Sequence, residues 1–190
     1  IDENSYRSAS IILSEIKDNY NINSVIDVGC GTGSWLRAAR KIFGDNLTLT
    51  GIDGYNDKNI FKCTDAKFIS HNLENSFENH INLKSDLVIC MEVAEHLSLS
   101  RAEDFVRDLC SISNVILFGA AVKFQRGTSH INEQPQSFWI DIFMQYEYYP
   151  FYLPRKKLWE NEEILKTPYY ISNSFIFIKE NYFLSDKLKN

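Results

Sequence analysis

Apolar and polar positions recur along this chain with two periods, and the order in which those periods alternate predicts the fold. Ile12, Leu13 and Ile16 share one face of a first helix over residues 8–19. Ser24–Val28 is a short β-branched run ending in glycines, the pattern of a buried strand. Trp35, Leu36, Ala39, Ile42 and Phe43 then return at helical spacing, and Leu47–Asp53, Lys67–Ser70 and Asp86–Met91 read as further strands. Ala102, Phe105, Val106 and Leu109 mark another amphipathic helix, followed by a fifth strand over Val115–Ala121. Beyond a polar loop, Phe138, Trp139, Ile142, Phe143 and Tyr146 give a helix whose start is signalled by Pro135. Tyr149–Leu153 and Phe175–Lys179 are the last strands. Strands alternating with helices are the mark of βαβ units. The expectation is a single α/β domain over residues 1–190, a doubly wound, mostly parallel sheet with helices on both faces. The last two strands would close one edge as an antiparallel hairpin. Ligands of such sheets bind beyond the carboxyl ends of the strands.

Composition narrows the class. At 190 residues, 44% hydrophobic and 24% charged, the chain suits one globular domain with a real core. No run approaches the roughly 20 apolar residues of a membrane span. A net charge of −5 argues against nucleic acid or anionic lipid as a partner. Arg155-Lys156-Lys157, the one basic run, reads as a solvated turn. Cys30, Cys63, Cys90 and Cys110 form no C-x-x-C pair, which counts against a disulfide framework or structural zinc. The chain begins with Ile1 rather than Met, and no basic segment leading into an apolar one opens it. A cytoplasmic location is therefore expected.

The first chemical motif lies where the first strand meets the next helix: Asp27-Val28-Gly29-Cys30-Gly31-Thr32-Gly33. Glycines allow a sharp turn and close approach of a ligand to the main chain. The dinucleotide fingerprint G-x-G-x-x-G would place a third glycine at Ser34, so the G-x-G-x-G found here points to another ligand. VIDVGCGTGSWL resembles the first motif of the class I S-adenosylmethionine-dependent methyltransferases, and the similarity runs through about residue 145. The resemblance implies a Rossmann-like methyltransferase fold with seven strands. It implies a loop (Asp27, Gly29, Cys30, Gly31, Gly33) around the methionyl part of S-adenosylmethionine, and an acidic residue, Asp53 beside Gly54, on the ribose hydroxyls. A carboxylate there can accept two hydrogen bonds at once; Asp53-Gly54 alone would read as an ordinary turn. Asn72, next to Leu73, is placed by the same resemblance near adenine, with a helix N-cap before Glu74 as its competitor. Met91 is either a cofactor contact or a core residue.

Glu92-Val93-Ala94-Glu95-His96 follows the fourth strand. On a helical turn Glu92, Glu95 and His96 would project together. Two carboxylates and an imidazole there call for a shared proton or cation, and that donor set suits Mg²⁺ or Mn²⁺. E-x-x-E-H resembles the ubiquinone-biosynthesis and small-RNA 3′-end O-methyltransferases. That resemblance implies a metal on Glu92, Glu95, His96 and a later histidine, here His130, with Glu92, His96 and His130 as the catalytic set. Three readings of His130 stay open: metal ligand, metal-free general base, or a structural residue. Without metal, Glu92 would lie near the cofactor while Glu95 and His96 make helix-start hydrogen bonds.

The run His130-Ile131-Asn132-Glu133-Gln134-Pro135-x-Ser137-x-Trp139 resembles one in bacterial methyltransferases encoded with surface-polysaccharide genes. It implies a sugar or glycan-precursor acceptor, and a polar loop suits a polyol better than an apolar acceptor. Arg126, Asn132, Glu133 and Gln134 are the substrate-contact candidates, with a solvated loop as the alternative. The aromatic stretch Tyr146–Tyr152 reads as sheet packing.

Overall fold

The structure is a computed structural model and describes residues 2–54, 60–77 and 83–183, so Ile1 lies outside the described residues. Its elements run α1 (Asp2–Ile16), β1 (Ser24–Val28), α2 (Ser34–Phe43), β2 (Thr48–Asp53), β3 (Lys67–Ser70), β4 (Leu87–Met91), α3 (Ala102–Ile112) and β5 (Val115–Gly119). Then come α4 (Gln136–Gln145), β6 (Tyr148–Tyr152), α5 (Arg155–Trp159), α6 (Tyr169–Ser172), β7 (Ser174–Lys179) and α7 (Glu180–Phe183). The first helix starts six residues before the expected 8–19 and stops at Ile16, where Lys17–Asn19 tighten into a 3₁₀ turn. The fifth strand ends at Gly119, short of Ala121.

The seven strands pair in the order β3-β2-β1-β4-β5-β7-β6, parallel except for β7. This is the doubly wound α/β sheet that the periodicity predicts. The chain winds outward from β1 to β3, then returns to β4 on the other side of β1, opening a crevice between the two carboxyl ends. β4 and β5 are buried at every residue, which is why they read as unbroken apolar runs. Side chains alternate between two cores. Val25, Leu49, Ile89 and Leu117 face Leu13 of α1 and Leu36 of α2. Ile26, Val88 and Ile116 face Phe105 of α3 and Phe143 of α4, the latter stacked at 3.9 Å on Phe177.

The last two strands do pair antiparallel, but no tight hairpin joins them. β7 inserts between β5 and β6, and residues 153–173 make the connection with helical turns. That connection packs on α1: the Thr167 and Ser8 hydroxyls are 2.5 Å apart, and the Tyr170 hydroxyl is 3.1 Å from Ser5 Oγ. Because β7 runs against β5, with Ser174 opposite Gly119, its first residues reach the ligand-binding edge of the sheet.

Candidate active site

β1 delivers its loop to the end of β2. The Gly29 and Cys30 N–H groups donate to the Ile52 carbonyl (2.8 and 3.2 Å), and the Gly31 N–H donates to Asp53 Oδ2 at 2.8 Å. Gly29 and Gly31 have φ of +77° and +50°, which residues with a side chain rarely adopt. A Cβ at Gly29 would lie 2.3 Å from Val93, whereas at Gly31 it would meet nothing within 4 Å. The first glycine is thus needed for packing, and the second borders open space beside Asp53. Cys30 contributes backbone here: its sulfur packs toward Gly51, and burial pushes its thiol up. Asp27 is buried, with Oδ2 lacking any donor; burial and then the Asp53 charge push its carboxyl well above the usual range.

The other cofactor candidates lie around this point. The His71 N–H donates to the Asp53 carbonyl, and exposed Gly54 packs beside Asn72. Asn72 Oδ1 accepts the Glu74 N–H at 3.1 Å, closing an Asx turn; residues 73–77 are not helical, so the competing N-cap reading does not hold. Leu73 is buried with Phe77, and Met91 is buried with its thioether against Gly119.

On the other side of the crevice, Glu95 and His96 share the 3₁₀ turn Ala94–His96. Glu92 lies before that turn with φ +57°, so the three do not project from one helical face as expected. Instead Glu92 turns to a pair of amides: Asn173 Nδ2 donates to Oε1 at 3.2 Å and Gln125 Nε2 to Oε2 at 3.1 Å. Burial raises the Glu92 carboxyl, and those hydrogen bonds act against it. Glu95 is fully buried, neither of its oxygens has a hydrogen-bond donor, and burial, then Glu92, pushes it up to about 8. Ligand atoms of Glu95, His96 and His130 all lie within 4.8 Å of one another. The structure therefore brings ligand atoms of three of the four expected metal ligands together, while Glu92, beside Glu95, is taken up by the two amides.

His130 arrives because the Ile131 and Asn132 N–H groups both donate to the Glu95 carbonyl (2.9 and 3.0 Å). Its ring meets that of His96 edge-on at 4.9 Å. Glu133 Oε1 lies 2.9 Å from His130 Nδ1, and Glu133 Oε2 accepts the Phe124 N–H at 2.9 Å. A carboxylate at Nδ1 requires the proton there, which leaves Nε2 as the basic atom. His96 Nδ1 faces the Ser129 carbonyl at 3.2 Å, with the same consequence. Glu133 is thus committed to shaping the loop. Asn132 is buried and takes the Gln134 amide at 2.9 Å, while Arg126 is exposed. Three residues were missed by sequence reasoning: Gln125, Asn173, and Gly127, where a Cβ would lie 2.2 Å from His130 Nε2. Gln125 and Asn173 show only through pairing over 33 and 81 positions, and Gly127 only through the conformation of the loop that brings it against His130.

A family model described as a methyltransferase domain matches residues 5–115, more than half of the chain. This chain belongs to the methyltransferase family. Among curated proteins, the methyltransferase resembles ribosomal RNA large subunit methyltransferase E of Methanococcus maripaludis, at 27% identity over 151 residues. That alignment covers 74% of this chain and 56% of the relative, so the chain spans about half the length of the curated relatives it matches. Among solved structures, Streptomyces venezuelae DesVI superposes with a TM-score of 0.67 at 12% identity, covering 94% of this chain and 92% of that one. Magnesium protoporphyrin IX methyltransferase of Synechocystis, solved with bound S-adenosylmethionine, gives 0.60 at 15% identity, covering 94% and 79%. The fold is that of the class I S-adenosylmethionine-dependent methyltransferases.

The residues present fit both groups that this family and its motifs imply. For the nucleoside cofactor, the open space at Gly31 adjoins the Asp53 carboxyl and the donorless Asp27 oxygen. For a divalent cation, a buried carboxyl without donors faces two imidazoles whose Nδ1 atoms are engaged elsewhere. None of the described helices is long and apolar enough to cross a membrane.

Proposed function

We propose that this methyltransferase methylates a hydroxyl of a polyhydroxylated acceptor, a sugar or glycan precursor, in the cytoplasm. The observation that carries the proposal is the convergence of Glu95, His96 and His130 beside the cofactor crevice. S-adenosylmethionine, when bound, supplies the electrophilic methyl group. Glu95, His96 and His130 would hold a Mg²⁺ or Mn²⁺ ion, whose Lewis acidity would make an acceptor hydroxyl easier to deprotonate. Gly31 and Asp53 position the nucleoside. His130, oriented by Glu133, leaves Nε2 either to hold the cation or to take the hydroxyl proton directly. Glu92, fixed by Asn173 and Gln125, orients the acceptor.

Methyl transfer to a panel of sugar nucleotides, glycans and catechols, with and without chelator, tests this. Activity lost on chelation and restored by Mn²⁺ selects the metal route; activity indifferent to chelator but lost in His130→Ala selects the base. A second reading, methylation of RNA, is favoured by the curated relative, and the net charge of −5 counts against it. Incorporation of methyl into RNA, and into none of the small acceptors, would replace the first reading with the second.

A further inference from the structure

An open cleft of about 780 Å³ lies between residues 122–125, the start of α4 and the segment leading into β7. Its size is that of a small-molecule site, and it shares two walls with the reaction centre. Gln125 and Asn173, which hold the Glu92 carboxylate, also line the cleft. We propose that this cleft is the acceptor subsite and that it takes a saccharide carrying an anionic group, a phosphate ester or a carboxylate. The proposal rests on methyl transfer to a polyhydroxylated acceptor and names its class.

Three features of the lining carry it. The Gln125 and Asn173 amides that line it are held by Glu92 and by each other, and the Gln136 amide N–H by the Ser172 carbonyl, which leaves the Ser137 hydroxyl and the Gln136 carbonyl oxygen to pair with ring hydroxyls. Phe124 stands at the lip, 88% exposed, with φ +71°. A bulky residue in that conformation costs about 1–2 kcal/mol, and the Glu133 carboxylate holds it there through the Phe124 N–H. An exposed aromatic ring at the lip of the cleft matches the apolar C–H face of a sugar ring. Finally, Lys123 lines the cleft, no acidic side chain does, and Lys123 is in no ion pair among the described residues. Arg126, three residues on, is likewise exposed and in no such pair. The carboxylates behind the lining, Glu92 and Glu133, are taken up by the two amides and by His130 and the Phe124 N–H, so in a chain of net charge −5 the Lys123 ammonium at the cleft is the group there that favours negative charge.

The test is calorimetry on the full chain saturated with S-adenosylhomocysteine, titrated with glucose, glucose 1-phosphate, glucuronate and inorganic phosphate. At least one anionic sugar should bind ten-fold or more tighter than glucose; the tighter of the two identifies phosphate or carboxylate as the anion. Lys123→Gln should erase that preference, and Phe124→Ala should weaken all three sugars several-fold while leaving inorganic phosphate unchanged. Both variants should keep the wild-type affinity for S-adenosylhomocysteine. Equal binding of glucose and both anionic sugars, or inorganic phosphate as tight as glucose 1-phosphate, would overturn the proposal, as would no sugar binding to the S-adenosylhomocysteine complex. Failure of the wild-type chain to bind S-adenosylhomocysteine would instead overturn the methyl-transfer reading beneath it.

Discussion

The two sides of the crevice are built in different ways. The cofactor side is local: Asp27, Gly29, Gly31 and Asp53 come from consecutive β-α-β elements, and backbone hydrogen bonds between neighbouring strands set their positions. The acceptor side gathers Glu92, Gln125, His130 and Asn173 from three separate segments, and its longest tie, Asn173 to Glu92, spans 81 positions. Glycine conformation shapes the first side, whereas side-chain hydrogen bonds and buried carboxyls hold the second. The acceptor side should therefore lose function through single polar substitutions that leave cofactor binding intact.

Arg101 ties the 73–77 turn to α3, and its removal should have the largest effect. Its guanidinium pairs with buried Asp108 and donates to the Leu73 and Asn75 carbonyls, while Asp108 also accepts the Phe77 N–H. Arg101→Met would strand Asp108 in the interior at about 3–5 kcal/mol. Denaturant unfolding should show that loss, together with weaker S-adenosylhomocysteine binding as the 73–77 turn loosens. Next, His130→Ala should lower methyl transfer about 100-fold or more with the S-adenosylhomocysteine affinity retained; a parallel fall in that affinity would mean the two sides are not separable.

Gly29→Ala should do the reverse. Its clash with Val93 costs about 2 kcal/mol or more and should abolish S-adenosylhomocysteine binding, while Mn²⁺ binding at the histidines survives. Smaller again, Gly127→Ala drives a methyl into the His130 imidazole and should weaken Mn²⁺ binding about ten-fold, with little change in Tm. The smallest effect concerns Asp27, whose folded-state carboxyl is raised by burial and Asp53. Over the window between its unfolded and folded values the folded chain holds the extra proton, so stability falls as pH rises through it. Asp27→Asn should flatten that decline, raising Tm slightly at neutral pH in ligand-free protein while weakening S-adenosylhomocysteine binding. An unchanged pH profile would show that Asp27 is not the source.

Much of the cofactor side was legible in the sequence because its signals are local. A β-branched run ending in spaced glycines is strand, turn and helix start within twelve residues, and Asp53 follows at the end of the next strand. On the acceptor side, E-x-x-E-H located the right turn but not its geometry. Glu92 leaves the helical face because its backbone takes a left-handed conformation that no periodicity reveals. Glu133 read as a polar loop residue open to substrate, yet it spans Phe124 and His130 as the brace of that loop.

By itself the sequence determined which segments are strands, that most run parallel, and that spaced glycines and an aspartate end the first two of them. These follow from side-chain period and backbone freedom, which act over a few residues. The tertiary structure alone decided that β7 enters between β5 and β6, so that Asn173 reaches Glu92 and Glu95 is left buried without a donor. Those outcomes depend on which distant segments share a buried edge, a choice made by the packing of the whole sheet.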